Sequence, residues 1–305
     1  MRRRNLIILH DTRIHSDRDF REIAKRINER RDGIHAFVIT ERRRNLRAQF
    51  AQLLRPTLFV EMQPLPRVRR IRGYLARSKD RSKMADYRRL EAAGLPVPRW
   101  VEIVPDTALD PAEWGPWVVV KPDLGMRGMG VGAVATRELR YRAPEDWPED
   151  HFGRSGPMLA QRYIRTGAAP SYYRVMTCFG VPIFALHYTD IGSIPPGSGE
   201  TLPPIIVPRK TVDASTMTDD PEVLDLARRV HAAMPDVPSI GCDILRSADD
   251  GSLWLAEINC SQVWALSTEI GIRRQARWGN DYYAQFGALD RAAEAMAEAT
   301  RRFAR

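Results

Sequence analysis

Two alternating runs joined by an acidic turn restrict this chain more than any other segment. Ser239-Ile-Gly-Cys-Asp243-Ile-Leu-Arg and Leu253-Trp-Leu-Ala-Glu257-Ile-Asn259 flank Asp249-Asp250-Gly251 and read as an antiparallel hairpin. Side chains alternate between the faces of a strand, so the pairing register decides whether the carboxylates meet or face apart. A three-residue loop over Asp249, Asp250 and Gly251, with Gly251 left-handed, puts Asp243 opposite Glu257 with their Cβ atoms about 5 Å apart. The same register sets Asn259 on that face and Ile244, Ala256 and Ile258 on the other, whereas a two-residue loop separates the acids. Two carboxylates at about 5 Å repel by roughly 3 kcal/mol at an effective dielectric near 20, so a proton or a cation must relieve them. Oxygen donors alone suit Mg²⁺. Asp243, Glu257 and Asn259 are therefore the candidate metal ligands, with a solvated hairpin face carrying unrelated charges as the bland alternative.

A second hairpin carries the glycines. Val118-Val-Val-Lys121-Pro-Asp-Leu-Gly125-Met-Arg127-Gly128-Met-Gly130-Val-Gly132 has the order G-x-x-G-x-G and no G-K-[ST] ending, so it is neither a P-loop nor the dinucleotide fingerprint. The residues after Gly130 are β-forming, which makes the turn a flap between strands. Gly125, Gly128 and Gly130 permit positive φ and let backbone N–H groups face an anion, while Lys121 supplies a point charge and Arg127 sits within the turn. A hairpin with no ligand is the alternative.

The rest of the chain supplies a scaffold. Leu6 to Leu9 reads as a buried strand, 18–31 as a helix capped by Ser16 or Asp17, 34–40 as a strand, 46–54 as a helix and 57–61 as a strand, an alternation that favours a parallel sheet. Pro64, Pro66 and the basic stretch to Arg81 interrupt it, and a helix over 82–93 stops at Gly94 before Pro96 and Pro98. Strand-like runs follow near 100–104, 117–121, 130–136, 158–164, 173–179 and 182–188, and antiparallel sheet is the natural reading. The segment 192–208, with five prolines and three glycines, reads as a long loop able to act as a lid. A helix over 221–233 and a helical tail over 281–303, with Phe286, Leu289, Ala293 and Met296 at core spacing, complete the chain. These boundaries divide it into parts at 1–80, 81–156 and 157–305, an α/β class with α+β subdomains.

Composition narrows the function classes. The basic start has too short an apolar run for a signal peptide, and no stretch approaches the roughly 18 apolar residues of a membrane span, so a cytoplasmic protein without a membrane partner is expected. Cys178, Cys242 and Cys260 fall in no zinc spacing and cannot all pair. The net charge of +9 comes almost wholly from arginine, and its local clusters lack interleaved aromatics, so nucleic acid is not the expected partner. A homo-oligomer is compatible with everything above.

Taken together, these motifs resemble the ATP-grasp superfamily over about 80–270, in the branch with ribosomal-protein-S6 modification ligases, glutathione synthetase and D-alanine-D-alanine ligase. The resemblance implies a parallel N-terminal subdomain and two antiparallel subdomains clasping ATP. Ser82-Lys83 before Leu90-Glu-Ala-Ala-Gly94-Leu-Pro-Val-Pro98 is similar to the family's lysine helix, which assigns Lys83 to phosphate beside Lys121. Met158-Leu-Ala-Gln161-Arg-Tyr-Ile164 is similar to its adenine-holding strand, making Gln161, Arg162, Tyr163 and Ile164 cofactor candidates. Tyr172-Tyr-Arg174-Val matches at Arg174, the candidate catalytic residue at the acyl centre, but has Tyr172 where an acid often meets the ribose. Asp243, Glu257 and Asn259 match the metal ligands in type and order, whereas Cys260-Ser-Gln-Val-Trp264 departs from the family's small residues, Pro and Gly. The implied activity is an ATP- and Mg²⁺-dependent ligase, with Mn²⁺ as a substitute metal. It would join a small-molecule or peptide carboxylate to an amine through an acyl phosphate, forming an amide or peptide bond. A phosphotransferase and a non-catalytic ATP-binding module are the alternatives.

Overall fold

In the computed structural model, which describes residues 3–40, 51, 54–63, 72–78, 82–125, 128–189, 214–261 and 264–305, the N-terminal apolar run forms β1 (Arg4–His10). It lies between β2 (Ile34–Thr40) and β3 (Thr57–Glu61), parallel to both. Leu6, Ile7 and Ile8 are all fully buried, as expected of a parallel strand covered on both faces. The helix α1 (Asp17–Glu29) starts at Ser16, whose hydroxyl accepts from the Arg18 N–H, and turns Phe20, Ile23, Ala24 and Ile27 inward. The expected helix near 46–54 falls largely outside the described residues, and the loop over 192–208 does so entirely.

The segment 64–82 is more than an interruption. Tyr74–Arg77 forms β4, parallel to β3 at the sheet edge, giving the order β2-β1-β3-β4. Its sequence is basic and lacks strand periodicity, because distant partners hold it. Tyr74 stacks on Phe303 at 5.2 Å between ring centres, and Arg77 Nε donates to the Glu61 carboxylate. Gly73 leads in with φ +130°, and a Cβ there would stand 2.7 Å from the Thr57 carbonyl oxygen, so no other residue fits.

Next comes α2 (Lys83–Ala92), begun by the Ser82 hydroxyl accepting from the Ala85 N–H. The strands β5 (Trp100–Glu102), β6 (Trp117–Pro122), β7 (Gly132–Ala135) and β8 (Met158–Arg162), with the short α3 (Pro111–Trp114) before β6, form an antiparallel sheet of order β5-β8-β6-β7. The strand β8 thus pairs with β5 and β6, although it lies beyond residue 156. A second antiparallel sheet, of order β11-β10-β9-β12-β13, contains β9 (Ser171–Cys178), β10 (Val181–Thr189), β11 (Ala214–Met217), β12 (Ser239–Arg246) and β13 (Leu253–Asn259). Packed on it, α4 (Pro221–Ala233) is capped by Asp220 and buries Val223, Leu226, Ala227 and Val230.

The tail holds two helices where one was expected. The first, α5 (Glu269–Trp278), buries only Gly271 and so gives no apolar stripe, and it ends at Gly279 with φ +66°. The second, α6 (Ala288–Phe303), begins later than residue 281 because Gly287 breaks the run at φ +67°. Ala293 and Met296 are fully buried, while Phe286 and Leu289 are partly so. This helix shares one apolar cluster with Leu6 and Ile8 of β1 and with Phe184 and Leu186 of β10. It therefore ties the parallel sheet to the larger antiparallel one. No helix among the described residues is long and apolar enough to cross a membrane.

Candidate functional site

The acidic hairpin has the expected pairing for a different reason. Asp243 stands opposite Glu257, and Gly241 opposite Asn259. The turn, however, is Ala248 to Gly251, closed by a Ser247 N–H bond to the Ser252 carbonyl at 2.8 Å, with Gly251 at φ +76°. Near the turn Arg246 meets Leu253 and Ile244 meets Leu255, a register one residue away from that of the acids. The difference is absorbed by a β-bulge at Ala256, which has no residue opposite it. Ala256 is accordingly not a member of the apolar face, whereas Ile244 and Ile258 are buried in the cluster beneath the hairpin.

The two lysines arrive from different elements, Lys121 from the smaller sheet and Lys83 from α2, whose apolar residues pack in the cluster beneath the larger one. Lys121, on β6, is 5% exposed and donates from Nζ to Gln161 Oε1 at 2.7 Å and to the Ala256 carbonyl at 3.0 Å. Burial pulls its pKa down from 10.5 to about 8; Lys83 adds to the fall, and Glu257 and Asp243 oppose it. Lys83, in the first turn of α2, reaches Glu257 Oε1 at 3.5 Å and the Gly125 carbonyl at 3.3 Å. Asp123 fixes that approach, since its Oδ1 accepts from Ser82 Oγ at 2.9 Å and from the Met84 N–H at 2.8 Å. The glycine hairpin and the start of α2 are thereby held as one unit.

Arg174, on β9, is paired with Asp243 across the sheet and grips its carboxylate with two hydrogen bonds, Nη2 to Oδ2 at 2.6 Å and Nε to Oδ1 at 2.5 Å. Asn259 Nδ2 donates to the same Oδ2 at 3.4 Å. Burial pushes the Asp243 carboxyl above its ordinary pKa while the guanidinium pulls it down. The candidate catalytic arginine and the candidate metal ligand are thus bonded to each other. Among the described residues no group of three or more His, Cys, Asp or Glu side chains could hold a metal. The donors available are two carboxylates and an amide, a hard-oxygen set that fits Mg²⁺ once Asp243 shares or releases Arg174.

Two cavities meet at the acidic pair. One, between the antiparallel sheets, is lined by Lys121, Val131, Gln161, Arg162, Tyr163, Ile164, Tyr172, Arg174, Asp243 and Ala256. The other is lined by Lys83, Asp86, Gly125, Phe152, Glu257, Asn259 and Ser261. Neither is lined by Gly128 or Gly130, which turn the chain at φ +67° and +74°. Arg127 lies outside the described residues. Gln161 is 3% exposed, and with its Oε1 committed to Lys121 its Nε2 makes no hydrogen bond of good geometry. Tyr172 stacks on Tyr188 at 4.9 Å.

Three solved structures share the fold along nearly their whole length. D-cycloserine synthetase DcsG superposes with a TM-score of 0.51 at 20% identity, over 96% of this chain and 99% of that one. The ATP-grasp ligase PsnB does so with a minimal precursor (TM-score 0.51, 18% identity, 96% and 99% covered), and again with a minimal precursor, Mg and ADP (0.51, 16%, 97% and 98%). The chain has the ATP-grasp fold. No family model matches the sequence, and no curated protein matches it. At such identities it is the fold that is shared.

Within this ATP-grasp fold, two residues of the site went unread in the sequence. Tyr87, 1% exposed on α2, donates from Oη to the Ala256 carbonyl at 2.6 Å. Its signal was its place one helical turn after Lys83, on the same face. The bulge at Ala256 was foreshadowed by a parity break: Leu253 and Leu255 join the buried cluster from odd positions, Ile258 and Cys260 from even ones.

Proposed function

We propose that this protein is an ATP- and Mg²⁺-dependent ligase that activates a carboxylate as an acyl phosphate and joins it to an amine. One observation carries the reading: Lys121 from the smaller sheet and Lys83 from α2 converge on the hairpin that pairs Asp243 with Glu257, at the meeting of two cavities in an ATP-grasp fold. PsnB in complex with Mg and ADP supports the same ligands here.

In this reading Gln161, Arg162, Tyr163 and Ile164 hold the adenine end of ATP in the first cavity, and the phosphates extend past Lys121 toward Lys83 and the glycine turn. Asp243, Glu257 and Asn259 would hold Mg²⁺, which when bound screens the phosphate oxygens. A substrate carboxylate oxygen attacks the γ-phosphorus as the bond to ADP breaks. The amine nitrogen then attacks the acyl carbon and loses a proton, the acyl C–O bond breaks, and inorganic phosphate departs with that oxygen and the bonding electrons. Arg174, freed from Asp243, stabilises the negative charge that develops at the acyl centre. Residues 1–80, with the variable loops, would select the carboxylate and the amine, while 81–156 carry Lys83 and Lys121 and 157–305 carry Asp243, Glu257 and Asn259.

Measuring ADP release with Mg²⁺ across amino acids and short peptides, singly and in pairs, tests the proposal. Release that needs both a carboxylate and an amine, with a new amide by mass spectrometry, is the expected result. A stable phosphorylated product formed without an amine would replace ligation by phosphotransfer. Tight ATP binding with no turnover would reduce the protein to a binding module.

A further inference from the structure

The bulge at Ala256 is not needed to bring the carboxylates together. Ile244 pairs with Leu255 and Asp243 with Glu257; were Ala256 absent, the same pairs would follow in an unbroken ladder, and alternation would still turn the glutamate and asparagine toward the site. The extra residue must be explained by something else it supplies. Its carbonyl accepts two hydrogen bonds from outside its own sheet, from Tyr87 Oη at 2.6 Å and Lys121 Nζ at 3.0 Å. The Tyr87 ring also lies 5.2 Å from the Lys121 ammonium and packs on Trp100 at 5.7 Å, so a cation–π contact and a shared acceptor act on the same lysine.

We infer that Tyr87 and the bulged Ala256 carbonyl form a positioning pair that aims Lys121 at the phosphates of the nucleotide. The inference rests on the ATP-binding reading above. With Gln161 on its other side, two of the ammonium's three N–H bonds are committed to Gln161 Oε1 and the Ala256 carbonyl, beside a cavity that Lys121 lines. The helix bearing Lys83, the strand bearing Lys121 and the strand bearing Glu257 are joined at one oxygen atom, so nucleotide and carboxylates are aligned by the backbone itself. A bulge that re-aims a group beside a site is a recurrent use of this irregularity.

The test compares binding of AMPPNP with binding of adenosine by calorimetry in the full chain carrying Tyr87→Phe, a deletion of Ala256, Lys121→Met, or Tyr87→Phe with Lys121→Met. Tyr87→Phe keeps the ring and removes one hydrogen bond, and the expected result is roughly tenfold weaker AMPPNP with adenosine unchanged. In the Lys121→Met background the same substitution should change nothing further, because the group it positions is gone. Deletion of Ala256 should reproduce the AMPPNP loss; if that variant fails to fold, Tyr87→Phe carries the test alone. Equal losses for both ligands, unchanged AMPPNP affinity, or additive effects in the double variant would overturn the inference while leaving the ATP reading intact. Wild-type protein that binds AMPPNP no better than adenosine would overturn both.

Discussion

Lys121 gives the most demanding prediction, since its charge depends on where the fold places it. Burial lowers its pKa from 10.5 to about 8, which corresponds to about 3 kcal/mol of lost stability while the folded ammonium is charged. Below pH 8 the folded and unfolded states both carry the proton, and the folded state bears the whole cost. Between pH 8 and 10.5 the folded lysine is neutral while the unfolded one is still charged, so stability rises with pH across that window. In Lys121→Met this cost disappears, but Gln161 Oε1 and the Ala256 carbonyl lose a charged donor, an effect of about 1.5–3 kcal/mol per bond in the other direction. Two such bonds amount to about 3–6 kcal/mol against the roughly 3 kcal/mol regained, so at pH 7 the variant should be between about equal in stability to the wild type and about 3 kcal/mol less stable. Nucleotide binding should separate them clearly. If phosphate keeps the bound lysine protonated, wild-type AMPPNP affinity falls roughly 25-fold from pH 7.5 to 9.5, while Lys121→Met binds weakly and shows no such slope. Calorimetric titrations at fixed Mg²⁺ across that range measure both. A flat wild-type profile, or an equal slope in the variant, would refute the placement of a titrating lysine against phosphate.

The other predictions concern separate links. Asp243→Asn and Glu257→Gln should each weaken Mg²⁺-dependent nucleotide binding by at least about tenfold, with little effect on metal-free binding; isothermal titration with and without Mg²⁺ decides it, and unchanged metal dependence would remove these residues as ligands. Arg174→Met should destabilise the protein by about 1–3 kcal/mol at pH 7, because it leaves the largely buried Asp243 carboxylate with only the long Asn259 bond. Adding Asp243→Asn should recover part of that loss in urea unfolding. Trp264→Ala should cost about 3–5 kcal/mol, since the ring is fully buried against Phe20 and its Nε1 donates to Asp19 at 2.9 Å; a midpoint shift under about half that size would contradict the packing described.

What the sequence determined by itself is the part written in neighbouring residues. The caps at Ser16, Ser82 and Asp220 satisfy N–H groups two or three residues away, and the helices begin there. Period-two runs became strands, and the acids of β12 and β13 face each other because the pairing of two adjacent strands is a local property. The tertiary structure decided the rest. The strand β4 exists because Phe303 and Glu61 hold it, and α5 hides from periodicity because it buries so little. The three-residue turn expected from Asp249-Asp250-Gly251 became a longer one, and the bulge at Ala256 takes up the one residue by which the register at the turn differs from that of the acids. That bulge is held by Tyr87 and Lys121, 169 and 135 residues distant in the chain. Asp243 likewise looked like an open ligand until Arg174, from a neighbouring strand of the sheet, closed on it. Local hydrogen bonds and alternation act over a few residues and are legible in order; the partners of a buried charge are chosen by the fold, because only there does desolvation make an unpaired charge too costly to leave alone.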